Sequence, residues 1–337
     1  MTVLSLFDGI SCGKLAIEKA GIEIGTYYTS EVDKYAIAIS DYNHPETIKL
    51  GDVTNISPET LPKIDLLIGG SPCQSFSFAG KRVGMTTEED VEITSLAQYL
   101  ELKSTGFAFK GQSYLFWEYM RILKYLQKQN PNMLFLLENV SMAKKWETVL
   151  SKAIGVEPIS INSELVSAQN RKRLYWTNIN KSNILPPKDK HIFLKDIIDY
   201  SVLVELEPNT FVDKSIKPSI KQNVVTQYSI IVNSTKKIQQ LTCTSGFQDN
   251  KVGIVKSPTL RAGNSFCLAL DKDKVVRKIT VIEAERLQTL PDNYTKFGNF
   301  NGSIKQVSNT QRFKTIGNGW TIDVLAYIFS HIQEENK

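Results

Sequence analysis

The chain has 337 residues, enough for one large domain or two ordinary ones, and its 42% hydrophobic and 22% charged content excludes a disordered or fibrous protein. A formal net charge of +5 allows a polyanionic partner without demanding one. Four cysteines without a C-x-x-C pair and three scattered histidines argue against a zinc cluster or a disulfide framework, and no segment reaches membrane-spanning length.

The opening "MTVLSLFDG" enters a strand pattern directly, without a signal-like region, so a reduced, cytoplasmic protein is expected. "TVLSLF" reads as a strand, residues 13–20 as a helix, "IGTYYTSE" as a strand, residues 33–41 as a helix and "KIDLLIGGSP" as a buried strand. "SYLFWEYMRILKYLQKQ" then reads as a helix and "NMLFLLENV" as a strand. Such alternation predicts a parallel sheet covered by helices. Between Cys73 and that last helix lie some thirty residues, more than such a connection normally needs. Inside them Ile93, Leu96, Ala97 and Leu100 suggest one face of a helix stopped by Gly106, read either as a surface insertion or as a mobile lid. Past residue 180, short β-branched runs separated by Ser, Thr, Asn and Gly predict a smaller, mostly β domain. Helical periodicity returns at "TVIEAERLQTL" and at "TIDVLAYIFSHI", where Ile322, Leu325, Ala326 and Phe329 share a face.

"LFDGISCG" follows the first strand and opens the first helix, where open α/β sheets bind nucleotide-like ligands. From Gly9 the chain supplies Ser11 and Lys14 where a dinucleotide fingerprint needs glycine, so a ligand with adenosine but no phosphate, such as S-adenosylmethionine, is favoured. Glu31, at the next strand end, is placed for the ribose hydroxyls, and Asp52, in "GDVTNI", for the adenine amine. Further along, "GGSPC" brings Cys73 to the same edge, "LLENV" brings Glu138 and Asn139, and "SAQNRKRLYW" sets Arg171 and Arg173 two apart, which on a strand points both guanidiniums the same way. A thiol, a carboxyl and arginines beside a methyl donor suit one problem. Carbon 5 of cytosine becomes nucleophilic once a thiolate adds to carbon 6 and an acid protonates nitrogen 3.

These motifs, with "SEVDKYA", "GQSYLFWEYMRIL", "RKITVIEAERLQTLPDNY" and "FKTIGNGW", come in an order and spacing that resemble the DNA cytosine carbon-5 methyltransferases over the whole chain. "VLSLFDGI" looks more like the eukaryotic de novo enzymes than the bacterial glycine-rich form. The resemblance implies a Rossmann-like α/β methyltransferase sheet domain formed by residues 1–180 and 276–337, with a catalytic loop at 74–112 that carries an insertion at 81–111, and a smaller, mostly β target-recognition domain at 181–275. It implies Phe7, Gly9, Glu31, Val32, Asp52, Val53, Pro72, Leu115, Asn318 and Trp320 around S-adenosylmethionine, and Cys73, Glu138, Arg171 and Arg173 around a flipped cytosine.

Gln74 and Ser77 belong to the resembled loop that closes over DNA, while Gln248, Arg261 and Asn264 lie in polar turns able to reach base edges. The expected partners are double-stranded DNA and S-adenosylmethionine, released as S-adenosylhomocysteine, with no metal, no membrane and a monomeric state, in the setting of a restriction-modification system. A transfer RNA methyltransferase of the same fold and a DNA-binding homologue without catalysis remain open readings.

Overall fold

In the computed structural model of the chain, the described residues are 1–72, 85–199, 228–234, 237–240, 256–257, 259–260, 267–270 and 275–334. Contacts divide the chain into two units, Met1–Asn162 with Lys172–Pro187 and Val324–Lys337, and Ser163–Arg171 with Lys188–Asp323.

The first unit holds β1 (Thr2–Leu6), α1 (Cys12–Lys19), β2 (Thr26–Ser30), α2 (Lys34–Asn43), β3 (Ile48–Lys49) and β4 (Leu66–Gly69). After these come α3 (Leu96–Ser104), α4 (Phe116–Gln129), β5 (Leu134–Val140), α5 (Lys144–Ile154), β6 (Ile159–Asn162) and β7 (Lys172–Thr177). The strands form one sheet in the order β3-β2-β1-β4-β5-β7-β6. Neighbours from β3 to β5 pair in parallel, and β7 runs antiparallel to both β5 and β6. The continuous apolar texture of β1 and β4 follows, since Leu4, Leu6, Leu66 and Leu67 are all fully buried. One core gathers Leu4, Leu6, Leu67, Phe116, Trp117, Leu123, Leu137 and Trp176, each buried side chain contributing roughly 1.5–3 kcal/mol over its exposed state.

The second unit holds α6 (Leu194–Ile197), then β8 (Tyr228–Ser234), β9 (Lys237–Gln240), β10 (Cys267–Leu270) and β11 (Val275–Lys278), an antiparallel sheet in the order β11-β10-β8-β9. It continues with α7 (Val281–Leu287), the hairpin β12 (Phe297–Phe300) and β13 (Ser303–Gln306), and α8 (Asn309–Asn318). Thr280 and Glu283 cap the start of α7 reciprocally, a signature written in "ITVIEAE". The contact units differ from the sequence-based bounds, because residues 276–323 group with Lys188 onward. Hydrogen bonds accompany that grouping: Arg286 donates to the Ile197 carbonyl and the Asp199 N–H to the Glu283 carboxylate, both at 3.0 Å, while the Ser167 hydroxyl and the Gln169 amide donate to the Leu287 carbonyl. The last helix, α9 (Ile322–Glu334), buries Ile322, Leu325, Ala326 and Phe329 as its periodicity predicts.

Gly69 ends β4 under the ring of Tyr119 from α4. A Cβ there would lie 2.9 Å from Tyr119 Cδ2 and 3.2 Å from the Leu6 carbonyl oxygen, so the stretch "GGSPC" needs a glycine at its first position for close packing. Gly69→Ala should destabilise the protein by about 1–3 kcal/mol through overpacking, read as a lower midpoint in denaturant unfolding; an unchanged midpoint would refute the close approach.

Candidate active site

Parallel strands leave their carboxyl ends on one edge, and the loop after β1 turns there through three left-handed residues, Phe7, Gly9 and Ser11, with φ of 58°, 61° and 61°. Only Gly9 adopts this without steric cost, and nothing lies within 4 Å of the Cβ it lacks, so the backbone faces open space. Asp8 holds the turn from behind. Its carboxylate accepts from the Ser11 hydroxyl at 2.7 Å and from the Tyr27 hydroxyl at 3.0 Å. Burial raises the Asp8 pKa to about 6, the hydroxyls around it countering in part and the charge of Glu31 adding to the rise.

Glu31 sits at the end of β2 and accepts three backbone N–H groups, from Gly9, Val32 and Asp33, each at 2.8 Å. It therefore clasps the loop as well as offering a remaining lone pair to a ligand. A cavity of about 140 Å³ opens beside it, lined by Asp8, Gly9, Glu31, Ser40 and Gly51 among others. Asp52 is exposed and accepts from Thr54 N–H and hydroxyl, both at 2.8 Å, which fixes the turn Val53–Asn55. Val53 is buried and Val32 is 66% exposed, whereas Phe7, Pro72 and Leu115 are half-buried. An adenosine with a short charged tail fits this donor set: open backbone at Gly9 and a carboxylate at each of two neighbouring strand ends.

Next along the edge, β4 and β5 pair so that Gly69 faces Leu137, and Glu138 follows, 9% exposed. Because β7 runs back against β5, Arg173 at its start faces Val140 at the end of β5, on the face that also carries Glu138. Arg173 Nε and Glu138 Oε1 are 2.9 Å apart. Asn139, on the opposite face, donates from Nδ2 to the Ser71 carbonyl at 3.2 Å and to its hydroxyl at 3.1 Å, pinning the chain two residues before Cys73. The sequence placed Asn139 at this edge without showing its task.

Residues 85–111 fold onto α4 through a charge that sequence reading missed. Glu118 is 0% exposed, a burial that costs several kcal/mol unless paired. Lys103 pairs with it at 2.6 Å and Arg121 at 2.7 Å, and the Tyr99 hydroxyl donates to it. Burial and Glu118 push that hydroxyl above its usual range, so it stays a donor. Arg121 also donates to the carbonyls of Val53 and Ile56, at 3.3 and 2.9 Å, which ties α4 to the turn after Asp52, and Lys103 of α3 reaches the Thr54 carbonyl of the same turn at 3.4 Å. The predicted helix is present as α3, but Ala97 and Leu100 are exposed and Tyr99 is buried, since a hydroxyl bound for Glu118 outweighs the aliphatic stripe. The segment is docked rather than free. An i, i+3 pair of opposite charges in the apolar "FWEYMRIL" was the available signal.

In the second unit, Arg171 precedes β7 by one residue, so the strand geometry expected for it stops short. Its guanidinium is buried and donates to the carbonyls of Leu260, Gly317 and Gly319, at 3.0, 3.3 and 2.9 Å. Gln288 donates to Ile316 and Gly319 as well, so the turn with exposed Asn318 and buried Trp320 is held from two directions. Cys73, Gln74, Ser77, Gln248, Arg261 and Asn264 lie outside the described residues. Among the described residues no group of His, Cys, Asp and Glu is suited to a metal ion, and no helix is long and apolar enough to cross a membrane.

The sheet order, the single reversed strand and the glycine loop above an acidic strand end define a Rossmann-like α/β methyltransferase. The profile of the C-5 cytosine-specific DNA methylases matches residues 1–334, and the chain belongs to that family. It is 29% identical to the type II methyltransferase M.NgoPII of Neisseria gonorrhoeae, over 92% of this chain and 91% of that protein. With the type II methyltransferase M1.ScrFI of Lactococcus lactis subsp. cremoris the identity is 26%, over 99% and 79%. The orphan methyltransferase M.SPRI of Bacillus phage SPR is 29% identical over 74% of this chain, a match spanning 56% of its own length. Among solved structures, the fold is shared with the S. pombe Dnmt2 methyltransferase, at a TM-score of 0.61, 15% identity and coverage of 100% of this chain and 99% of that one.

Asp8 gives a pH dependence of known sign. Its folded pKa of about 6 lies above the usual aspartate value of about 3.9, so the protonated form favours the fold. The stabilisation is complete below about pH 4 and is lost as pH rises through about 6, a change of about 3 kcal/mol. Denaturant melts of wild type and Asp8→Asn between pH 4 and 7 should show the wild type losing ground by that order; a constant difference would refute the raised pKa.

Proposed function

We propose that the chain methylates carbon 5 of a cytosine, flipped out of a specific duplex DNA sequence, through a covalent Cys73 adduct. The observation that carries this reading is the Glu138–Arg173 pair at the end of β5, one residue along from the register of Gly69, four residues before Cys73. The whole-chain family match supports duplex DNA as the substrate. Bound at Gly9, Glu31 and Asp52, S-adenosylmethionine supplies an electrophilic methyl group. Phe7, Val32, Val53, Pro72, Leu115, Asn318 and Trp320 complete the proposed enclosure of that ligand.

The chain's own residues do the rest. Cys73 adds as thiolate to carbon 6, while Glu138, entering protonated, gives its proton to nitrogen 3 and leaves carbon 5 nucleophilic. Arg173 holds the Glu138 carboxylate once that proton has gone, and Arg171 and Arg173 together lower the cost of an ionised thiol. After carbon 5 has gained its methyl group, hydroxide or water from solvent takes the carbon 5 proton, the electron pair of that C–H bond forms the 5,6 double bond as the thiolate leaves carbon 6, and nitrogen 3 returns its proton to Glu138. Gln74 and Ser77 are assigned to the closing loop, and Gln248, Arg261 and Asn264, within a target-recognition region at 181–275, to base readout. The enzyme is assigned to the cytoplasm as a monomer.

Duplex DNA carrying 5-fluorocytosine tests the mechanism, because fluorine blocks the final elimination. The wild type should become linked to DNA at a Cys73 peptide detectable by mass, and Cys73→Ala should neither link nor methylate while still binding S-adenosylhomocysteine. Turnover by Cys73→Ala would end the covalent reading, and methylation of transfer RNA in preference to duplex DNA would end the substrate assignment.

Glu31→Ala removes both the ribose acceptor and the clasp on Gly9. By titration calorimetry the dissociation constant for S-adenosylhomocysteine should rise about tenfold or more. An unchanged constant would move the adenosine site elsewhere.

A further inference from the structure

The hairpin β12–β13 has no role in the chemistry above, and the exposure of its second strand needs an explanation. All four residues of β13 are exposed, Ile304 by 62%. A two-stranded ribbon is marginal by itself, so such a strand is not explained by packing. Its form is nevertheless fixed. Asn301 and Gly302 take φ of 53° and 88°, the two-residue turn whose twist matches antiparallel strands, and Gly302 N–H donates to Asn299 Oδ1 at 2.7 Å.

Its charge is one-sided. The chain has 35 acidic residues in 337, about three for every thirty, yet residues 293–322 contain none. Of the four basic residues in that stretch, Arg312 is buried and paired with Glu285 at 3.0 Å. Lys296 and Lys305 form no ion pair among the described residues; Lys305 is exposed in β13 opposite Gly298, and Lys296 lies just before β12, its ammonium over the Phe297 ring. A preorganised ribbon with one fully exposed strand, with lysines and no carboxylates, is complementary to a polyanion, and a two-stranded ribbon has the width of the DNA major groove.

We propose that this hairpin is a second duplex-DNA contact, gripping phosphates through Lys296 and Lys305 independently of sequence. It lies in the same unit as the antiparallel sheet β8–β11. The proposal rests on the DNA reading above and adds to it an element outside 181–275.

Sheared duplex DNA of mixed sequence is the probe, because binding to phosphates does not depend on the recognised site. In Lys296→Ala/Lys305→Ala, the slope of log affinity against log salt should flatten by about 0.9 for each phosphate no longer neutralised, and affinity near 0.1 M salt should fall several-fold. Lys305→Ala alone, at an exposed position, should give about half the change in slope. Affinity for S-adenosylhomocysteine should stay at the wild-type value, and a control that removes the exposed Lys128 of α4 and Lys152 of α5 should leave the slope near wild type. A hairpin variant with the wild-type slope, or a control that flattens it equally, overturns the proposal while the DNA reading stands. A wild type without salt-dependent affinity for duplex DNA overturns the DNA reading, and this inference with it.

Discussion

The constraint behind the site is strand direction. Parallel neighbours put the ends of β1, β2, β4 and β5 on one edge, so Gly9, Glu31 and Glu138 are delivered together without any long-range search by their side chains. Reversal of β7 then does what another parallel strand could not. It sets the start of one strand beside the end of another, and Arg173 meets Glu138 because of it. A nearly buried carboxyl gains a fixed cation from topology alone.

The cofactor-side edge is rigid for a different reason. Three left-handed residues in five make the β1 turn intrinsically unfavourable, and it persists because Asp8 and Glu31 hold it from two sides with hydrogen bonds to hydroxyl and backbone groups. The carboxylate that lines the cavity at this edge is thus committed in part to the loop. The shape of the cavity and the geometry of the loop are coupled through one side chain.

Strand ends, helices and the acidic positions at the edge were legible because period and turn residues are local signals. Strand order was not. Nothing in "ISIN" or "KRLYW" says that β6 takes the outer place and β7 returns between it and β5, since periodicity carries no information about the pairing partner. For the same reason Arg171 and Arg173 read as one strand face, although β7 begins between them. The face of α3 was misread because apolar periodicity ranks Leu100 above a tyrosine, and only the buried carboxylate of Glu118 reverses that order. The hairpin β12–β13 carries an Asn-Gly turn in plain view, but its flanking runs are too short to stand out.

Docking of residues 85–111 through Glu118 has a consequence for descent. An insertion held only by surface packing can disappear again in one deletion, whereas this one lends Tyr99 and Lys103 to a carboxylate inside the sheet unit. Once Glu118 is in place, removing the segment leaves Arg121 alone against a fully desolvated charge, and keeping the core then requires a compensating change on α4 at the same time. Substitutions on its exposed face, at Ala97, Leu100 and Phe107, leave the partners of that carboxylate in place, whereas shortening the connection in a single step does not.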